Sequence, residues 1–198
     1  MVGSYIIQNT KFLPGSNYAA LQTFFLHWQS ESNTLLMKKS LYVASPLGFS
    51  EAGNYFMLNQ LFPLLHKLGY GIIDPWKLTE QAKIEKILAM EYGREKKEAW
   101  ARLNPEIGKN NQAGIEKSDG LLAILDGVDV DSGTASEIGY AAALKKPVLG
   151  YRGDFRLAAD NDGSIVNLQV EFFVRLHGGT IVTSLAEMER CLPEIFPL

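Results

Sequence analysis

Asp126-Gly127-Val128-Asp129-Val130-Asp131-Ser132-Gly133-Thr134-Ala135-Ser136-Glu137-Ile138-Gly139-Tyr140-Ala141 is the stretch that decides the fold. The residues before it, Leu121-Leu122-Ala123-Ile124-Leu125, are uniformly apolar, as a parallel strand buried on both faces requires. Ile138 to Leu144 follows a helical pattern that stops before Pro147. A turn rich in Gly and Asp therefore stands where a strand hands over to a helix. In open α/β sheets ligands bind there, outside the carboxyl ends of the strands. Glu137, just inside the helix, is the candidate chemical centre.

Other segments repeat the alternation. Ser40 to Ala44 and Gly71-Ile72-Ile73 read as strands, with a helix from Tyr55 to Leu68 between them that closes at Gly69. Thr79 to Arg102 reads as a charged helix broken at Asn104-Pro105, and Ile107 to Lys117 as a further one. Pro147 to Tyr151 is a fourth strand and Thr180-Ile181-Val182 a fifth. A loop over Arg152 to Ser164 and an apolar helix over Val166 to Leu176 separate them. Ser184-Leu185-Ala186-Glu187 opens the last helix with a capping pattern. The expected fold is α/β, a doubly wound, flavodoxin- or Rossmann-like parallel sheet of about five strands flanked by helices.

The domain is expected over residues 37–198. Residues 1–36 are weakly patterned, with an apolar, helix-compatible run from Ala19 to Trp28 but no basic start or cleavage site of a signal peptide. Met37 is a candidate start codon; a short docking segment is the other reading.

The composition narrows function further. The chain has 198 residues, 46% hydrophobic and 21% charged, with net charge −3. Such a balance, without a long basic run, speaks against nucleic acid as a partner, and no apolar run is long enough for a bilayer. The single cysteine, Cys191, fits a reducing, cytoplasmic setting. His27, His66 and His177 have no ligand spacing, so no metal or cofactor is expected at them. Neither G-x-G-x-x-G, G-x-x-x-x-G-K-[ST] nor G-x-S-x-G occurs, which removes support for dinucleotide redox, ATP hydrolysis and serine hydrolysis.

Each candidate residue has a simpler reading. Thr134-Ala135-Ser136-Glu137 fits a capping box, in which Glu137 only ties the helix start. Against that, Asp126, Asp129 and Asp131 crowd the preceding turn, and neighbouring carboxylates repel. A polyol donating hydroxyl hydrogen bonds, or a divalent cation at Asp129 and Asp131, would offset the repulsion. Tyr42 is either sheet packing or a partner for Glu137. Asp74 is either a turn former before Pro75 or a pocket residue. Phe49 and Trp76, on loops at the same edge, cover the core or stack on a flat heterocycle.

Four segments carry a family resemblance. Tyr42-Val43-Ala44-Ser45-Pro46-Leu47-Gly48-Phe49, Asn111 four before Ile115, Asp131-x-Gly133-x-x-x-Glu137-Ile138-Gly139-Tyr140-Ala141, and Asn167-Leu168-Gln169 resemble nucleoside 2-deoxyribosyltransferases over roughly residues 40–190. The resemblance implies a cytoplasmic enzyme of nucleotide metabolism and purine salvage. It would transfer 2-deoxyribose between nucleobases by a retaining double displacement, without cofactor, on 2′-deoxynucleosides and free bases. Glu137 would be the nucleophile and Tyr42 would hold it. Asp131 would bind sugar hydroxyls, and Asn111, Phe49 and Asp74 would belong to the substrate pocket. Asn167 and Gln169 would reach into a neighbouring subunit's site, which makes a homo-oligomer part of the expectation.

The chain departs from the family in places. Members carry an aspartate that protonates the leaving base where Asn111 stands, and a methionine where Gln169 stands. Two further readings compete. One is a 2′-deoxynucleoside 5′-monophosphate N-glycosidase, with Ser45, Ser50 and Ser132 for the phosphate. The other is a non-catalytic nucleotide sensor.

Overall fold

A computed structural model describes residues 39–198. The expectations for residues 1–36 and for Met37 fall outside the described residues.

Five strands form one parallel sheet in the order β2-β1-β3-β4-β5. They are β1 (Ser40–Ala44), β2 (Gly71–Ile73), β3 (Gly120–Ile124), β4 (Val148–Tyr151) and β5 (Thr180–Val182). The helices are α1 (residues 51–67), α2 (Gln81–Leu88), α3 (Arg94–Lys117), α4 (Ser132–Ala143), α5 (Leu168–Arg175) and α6 (Leu185–Ile195). The winding reverses between β1 and β3, which is where a doubly wound sheet opens a ligand crevice.

The strand period of two divides the core. Leu41, Val43, Leu122 and Ile124 face α1 and α6, packing on Leu61, Leu65, Met188 and Leu192. Tyr42, Ala44, Leu121 and Ala123 face the other layer, packing with Ile115 of α3, Ile138 of α4 and Val170 and Val174 of α5. Tyr42 thus shares a face with the helix that carries Glu137.

Three differences from the sequence reading have physical causes. First, α1 begins at Glu51 rather than Tyr55, because the Ser50 side chain accepts from the Gly53 N–H and caps it. The helix widens to a π-turn over Met57–Leu61, immediately before Pro63. The wider turn relieves the clash between the proline ring and the carbonyl four residues back.

Second, α3 is not broken at Asn104-Pro105: it runs unbroken from Arg94 to Lys117 with Pro105 inside it. Pro105 and Ala101 are both exposed, so the carbonyl deprived of its partner faces water. The charged segment before it divides instead at residues 89–93, where Gly93 interrupts the helix.

Third, α4 starts at Ser132, six residues before the apolar pattern at Ile138 suggests. Asp131 is its cap: the carboxylate accepts from the Thr134 N–H at 3.0 Å. At α6 the expected Ser184 cap is present, and Glu187 reaches back to the Thr183 N–H at 2.7 Å.

Candidate active site

Tyr42 leaves β1 toward α4, fully buried, and its hydroxyl donates to Glu137 Oε1 at 2.6 Å. The capping-box reading of Glu137 therefore fails. Thr134 is not the cap, and the Glu137 carboxylate turns inward to the sheet. Close approach of α3 makes room for this pair. A Cβ on Gly114 would stand 3.1 Å from Tyr42 Cε2 and 2.8 Å from Leu78 Cδ1.

Electrostatics at the pair are opposed. Burial pushes the Glu137 carboxyl above the usual carboxylate range, the Tyr42 hydrogen bond draws it back, and the Asp131 charge adds to the rise. Tyr42 is held far above its ordinary value by burial and by the carboxylate it donates to, so it stays a neutral donor.

Glu137 lines a cavity of about 500 Å³, within the range of small-molecule sites. Phe49 and Trp76 form one wall, edge to face with ring centroids 4.6 Å apart. The long helix α3 forms another with Trp100, Asn104, Ile107 and Asn111. Those four recur at i, i+4, i+7 and i+11, one helical face. Ser45, Asp131 and Thr134 complete the polar side. A shallower groove of about 350 Å³ runs between α3 and α4, and shares Asn111, Gly133 and Glu137 with the first cavity.

Of the residues expected in the site, Tyr42, Glu137, Asp131, Asn111 and Phe49 come together. Asp74 does not line the cavity. It accepts from the Trp76 N–H at 3.1 Å, capping the short turn that presents Trp76. Asn167 and Gln169 also lie outside both cavities. Asn167 caps α5 through the N–H groups of Gln169 and Val170, and Gln169 is exposed.

The other two aspartates serve the backbone. Asp126 accepts from the Asp154 N–H at 2.9 Å, and Asp129 from the Val130 N–H at 2.7 Å. Among the described residues no cluster of His, Cys, Asp or Glu could hold a metal ion.

Sequence reasoning missed Trp100, Asn104 and Ile107 because it ended the helix at Pro105. It also missed Arg152. This buried guanidinium donates to the carbonyls of Leu125, Gly127 and Arg156, and so holds the turn between β3 and α4. Gly127 has φ 133° there, a conformation open to glycine.

A doubly wound parallel sheet with a tyrosine-held carboxylate at its switch point is an α/β fold with a ligand crevice outside the carboxyl ends of its strands. The chain belongs to the nucleoside 2-deoxyribosyltransferase family, whose model matches residues 41–169. Solved structures share the fold. A 2-deoxyribosyltransferase from Bacillus psychrosaccharolyticus is 24% identical with TM-score 0.51, over 76% of this chain and 90% of that one. A 2-desoxiribosyltransferase from Leishmania mexicana is 22% identical with TM-score 0.55, over 81% and 99%. A conserved protein from Enterococcus faecalis V583 is 22% identical with TM-score 0.55, over 79% and 98%. Among curated protein sequences none matches significantly. No helix among the described residues is long and apolar enough to cross a membrane.

Proposed function

We propose that the chain transfers 2-deoxyribose between nucleobases by a retaining double displacement. The observation that carries this is the Tyr42–Glu137 hydrogen bond at the wall of an aromatic-sided cavity. Glu137 attacks the anomeric carbon of a 2′-deoxynucleoside. The C1′–N bond breaks with its electron pair passing to the base, and a glycosyl ester forms. A second base attacks C1′ and releases the carboxylate. The transition state is oxocarbenium-like, so an adjacent carboxylate stabilises it before capturing it. Asp131 binds sugar hydroxyls, Phe49 and Trp76 stack on the base, and Asn111 contacts its edge.

A nucleoside suits the cavity better than a 5′-monophosphate. Among the described residues no Lys, Arg or His lines either cavity, while Asp131 and Glu137 do. A phosphate would meet two carboxylates and no countercharge. Ser50 is engaged in capping α1, and Ser132 lines neither cavity.

A second copy of the chain completes the site. Leu168 and Phe172 on α5 and Leu176 at its C-cap are 49%, 54% and 44% exposed, four residues apart, an apolar stripe of the kind that seats a partner. Asn167 and Gln169 start the same helix and lie outside their own subunit's cavities, while the α3–α4 groove beside Glu137 is open at the surface.

The test is chromatographic. Purified protein with 2′-deoxyinosine and adenine should yield 2′-deoxyadenosine, and Glu137→Ala should not. Hypoxanthine released at one rate with or without adenine would replace transfer by hydrolysis. Binding unchanged in Glu137→Ala, with no turnover in either protein, would leave a sensor.

A further inference from the structure

Asn111 Oδ1 is the buried side-chain oxygen or nitrogen that lacks a hydrogen-bond partner among the described residues. A buried amide oxygen without a donor is costly, and native structures rarely keep one without a purpose. The other buried polar groups near this cavity are engaged, and Asn104 is exposed. Glu137 accepts from Tyr42, Asp131 caps α4, and Thr79 Oγ1 accepts from Asn110 Nδ2 at 3.0 Å. Gln81 Nε2 donates to the Trp76 carbonyl at 2.7 Å. Asn111 is therefore the buried group left to meet a ligand, and it is an acceptor in want of a donor.

Its place narrows the ligand further. Asn111 and Glu137 line both the cavity and the groove, so one ligand can meet the amide and the carboxylate together. In a purine nucleoside the five-membered ring lies nearest the reacting bond, and N7 is two bonds from N9. At the N7 edge a 6-aminopurine offers a donor, the N6 amine, beside an acceptor. A primary amide matches that pair with one oxygen and one N–H. A 6-oxopurine offers two acceptors at the same edge. Those call for the paired donors of Arg or Lys, and neither residue lines the cavity.

Resting on the deoxynucleoside reading above, we propose that Asn111 selects 6-aminopurine deoxynucleosides. Its Oδ1 accepts from the N6 amine and its Nδ2 donates to N7. The same contact serves the reaction. When C1′–N9 breaks, the electron pair spreads over the imidazole ring, and an N–H at N7 stabilises it without transferring a proton. The proton that the leaving base gains is matched by the ring N–H proton that the incoming base gives up, so the exchange balances across the two half-reactions. The amide cannot act as an acid, and here it does not need to.

The experiment compares kcat/KM for 2′-deoxyadenosine, 2′-deoxyinosine and 7-deaza-2′-deoxyadenosine as donors to one common acceptor, in the wild-type protein and in Asn111→Ala. Dividing the wild-type adenosine-to-inosine ratio by that of the variant removes the intrinsic difference between the two leaving groups. The quotient should be on the order of ten- to a hundredfold, and the 7-deaza donor should fall in the wild type but not further in the variant. Asn111→Asp, an acceptor-only carboxylate near neutral pH, keeps the contact to the N6 amine and loses the one to N7, so in it the 7-deaza donor should no longer fall behind 2′-deoxyadenosine. A quotient near one, with turnover of both donors intact, overturns this inference alone. Turnover of no deoxynucleoside, indistinguishable from Glu137→Ala, overturns the deoxynucleoside reading and this inference with it.

Discussion

The Tyr42 hydroxyl donates a 2.6 Å hydrogen bond to Glu137 Oε1 across 95 residues of sequence. One partner is on a buried central strand and the other on the first turns of α4. The bond exists because the strand period turns Tyr42 to the α4 face and the Asp131 cap starts α4 early enough to bring Glu137 over it. Tyr42→Phe keeps the packing and removes only the donor. A hydrogen bond to a charged group contributes about 1.5–3 kcal/mol, so kcat/KM should fall about 10- to 100-fold. The bond also favours the ionised carboxylate, so its loss should move the acidic limb of the pH–rate profile to higher pH. An unmoved limb would show that Tyr42 only packs.

Asp131 has two separable effects on the same site. Its carboxylate caps α4, and its charge raises the Glu137 carboxyl. Asparagine caps as well as aspartate does. Asp131→Asn should therefore leave Tm nearly unchanged and shift the acidic limb to lower pH, opposite to Tyr42→Phe. Asp131→Ala should shift the limb the same way and also cost about 1 kcal/mol, a fall of about 2–4 °C in a chain of this size. Equal thermal stability of the two variants would contradict the capping role.

Glu137 should weaken the fold at neutral pH. Its folded carboxyl is raised above the unfolded value, which lies near 4.3. Below that value both states are protonated and nothing is lost. As pH rises through it the unfolded chain ionises first, so stability falls until the folded carboxyl has also ionised. Glu137→Gln removes the charge and keeps the shape. It should unfold at a higher temperature than the wild type at pH 7, with the difference vanishing below pH 4, and it should be inactive. Thermal scans at the two pH values decide this. A variant less stable than the wild type at pH 7 would mean that the ionised carboxylate is held favourably.

Much of this was legible in the sequence, for physical reasons that also mark where reading stopped. β1, β2 and β5 keep their expected bounds: β1 is buried along most of its length and leaves an apolar run, and the short edge strands β2 and β5 are marked off by turn residues at Gly69, Asp74-Pro75 and Gly178-Gly179. The position of Glu137 after β3 follows from the same apolar signal. Its surroundings did not: Thr134 to Glu137 imitates a capping box, and only Tyr42, buried beneath α4, shows that the carboxylate turns inward. Pro105 hid the cavity's far wall. A proline on a solvent-facing turn does not end a helix, and that exposure is a tertiary fact. The spacing of Trp100, Asn104, Ile107 and Asn111 was the signal available. The three aspartates of the β3–α4 turn resemble a ligand cluster in one dimension, yet all three accept from backbone N–H groups, and of them Asp131 alone also lines the cavity.

Assembly can be tested through the site itself. If the α5 stripe seats a second copy, Phe172→Asp places a charge on a surface that pairing would bury. An unpaired buried charge is far costlier than the contact it replaces, so the variant should run as a smaller species in size-exclusion chromatography with light scattering. It should lose activity without losing Tm, because Phe172 is 54% exposed in the single chain. Complementation then separates pairing from site sharing. Glu137→Ala and Asn167→Ala should each be weak or inactive alone. Unfolded and refolded together, they should recover part of the activity, because a mixed assembly contains one site with Glu137 from one copy and Asn167 from the other. Recovery with no Phe172→Asp effect would move the interface elsewhere. Two wild-type-sized assemblies that never complement would confine each active site to a single chain, and Asn167 would then be no more than the cap of α5 that its bonds to Gln169 and Val170 already make it.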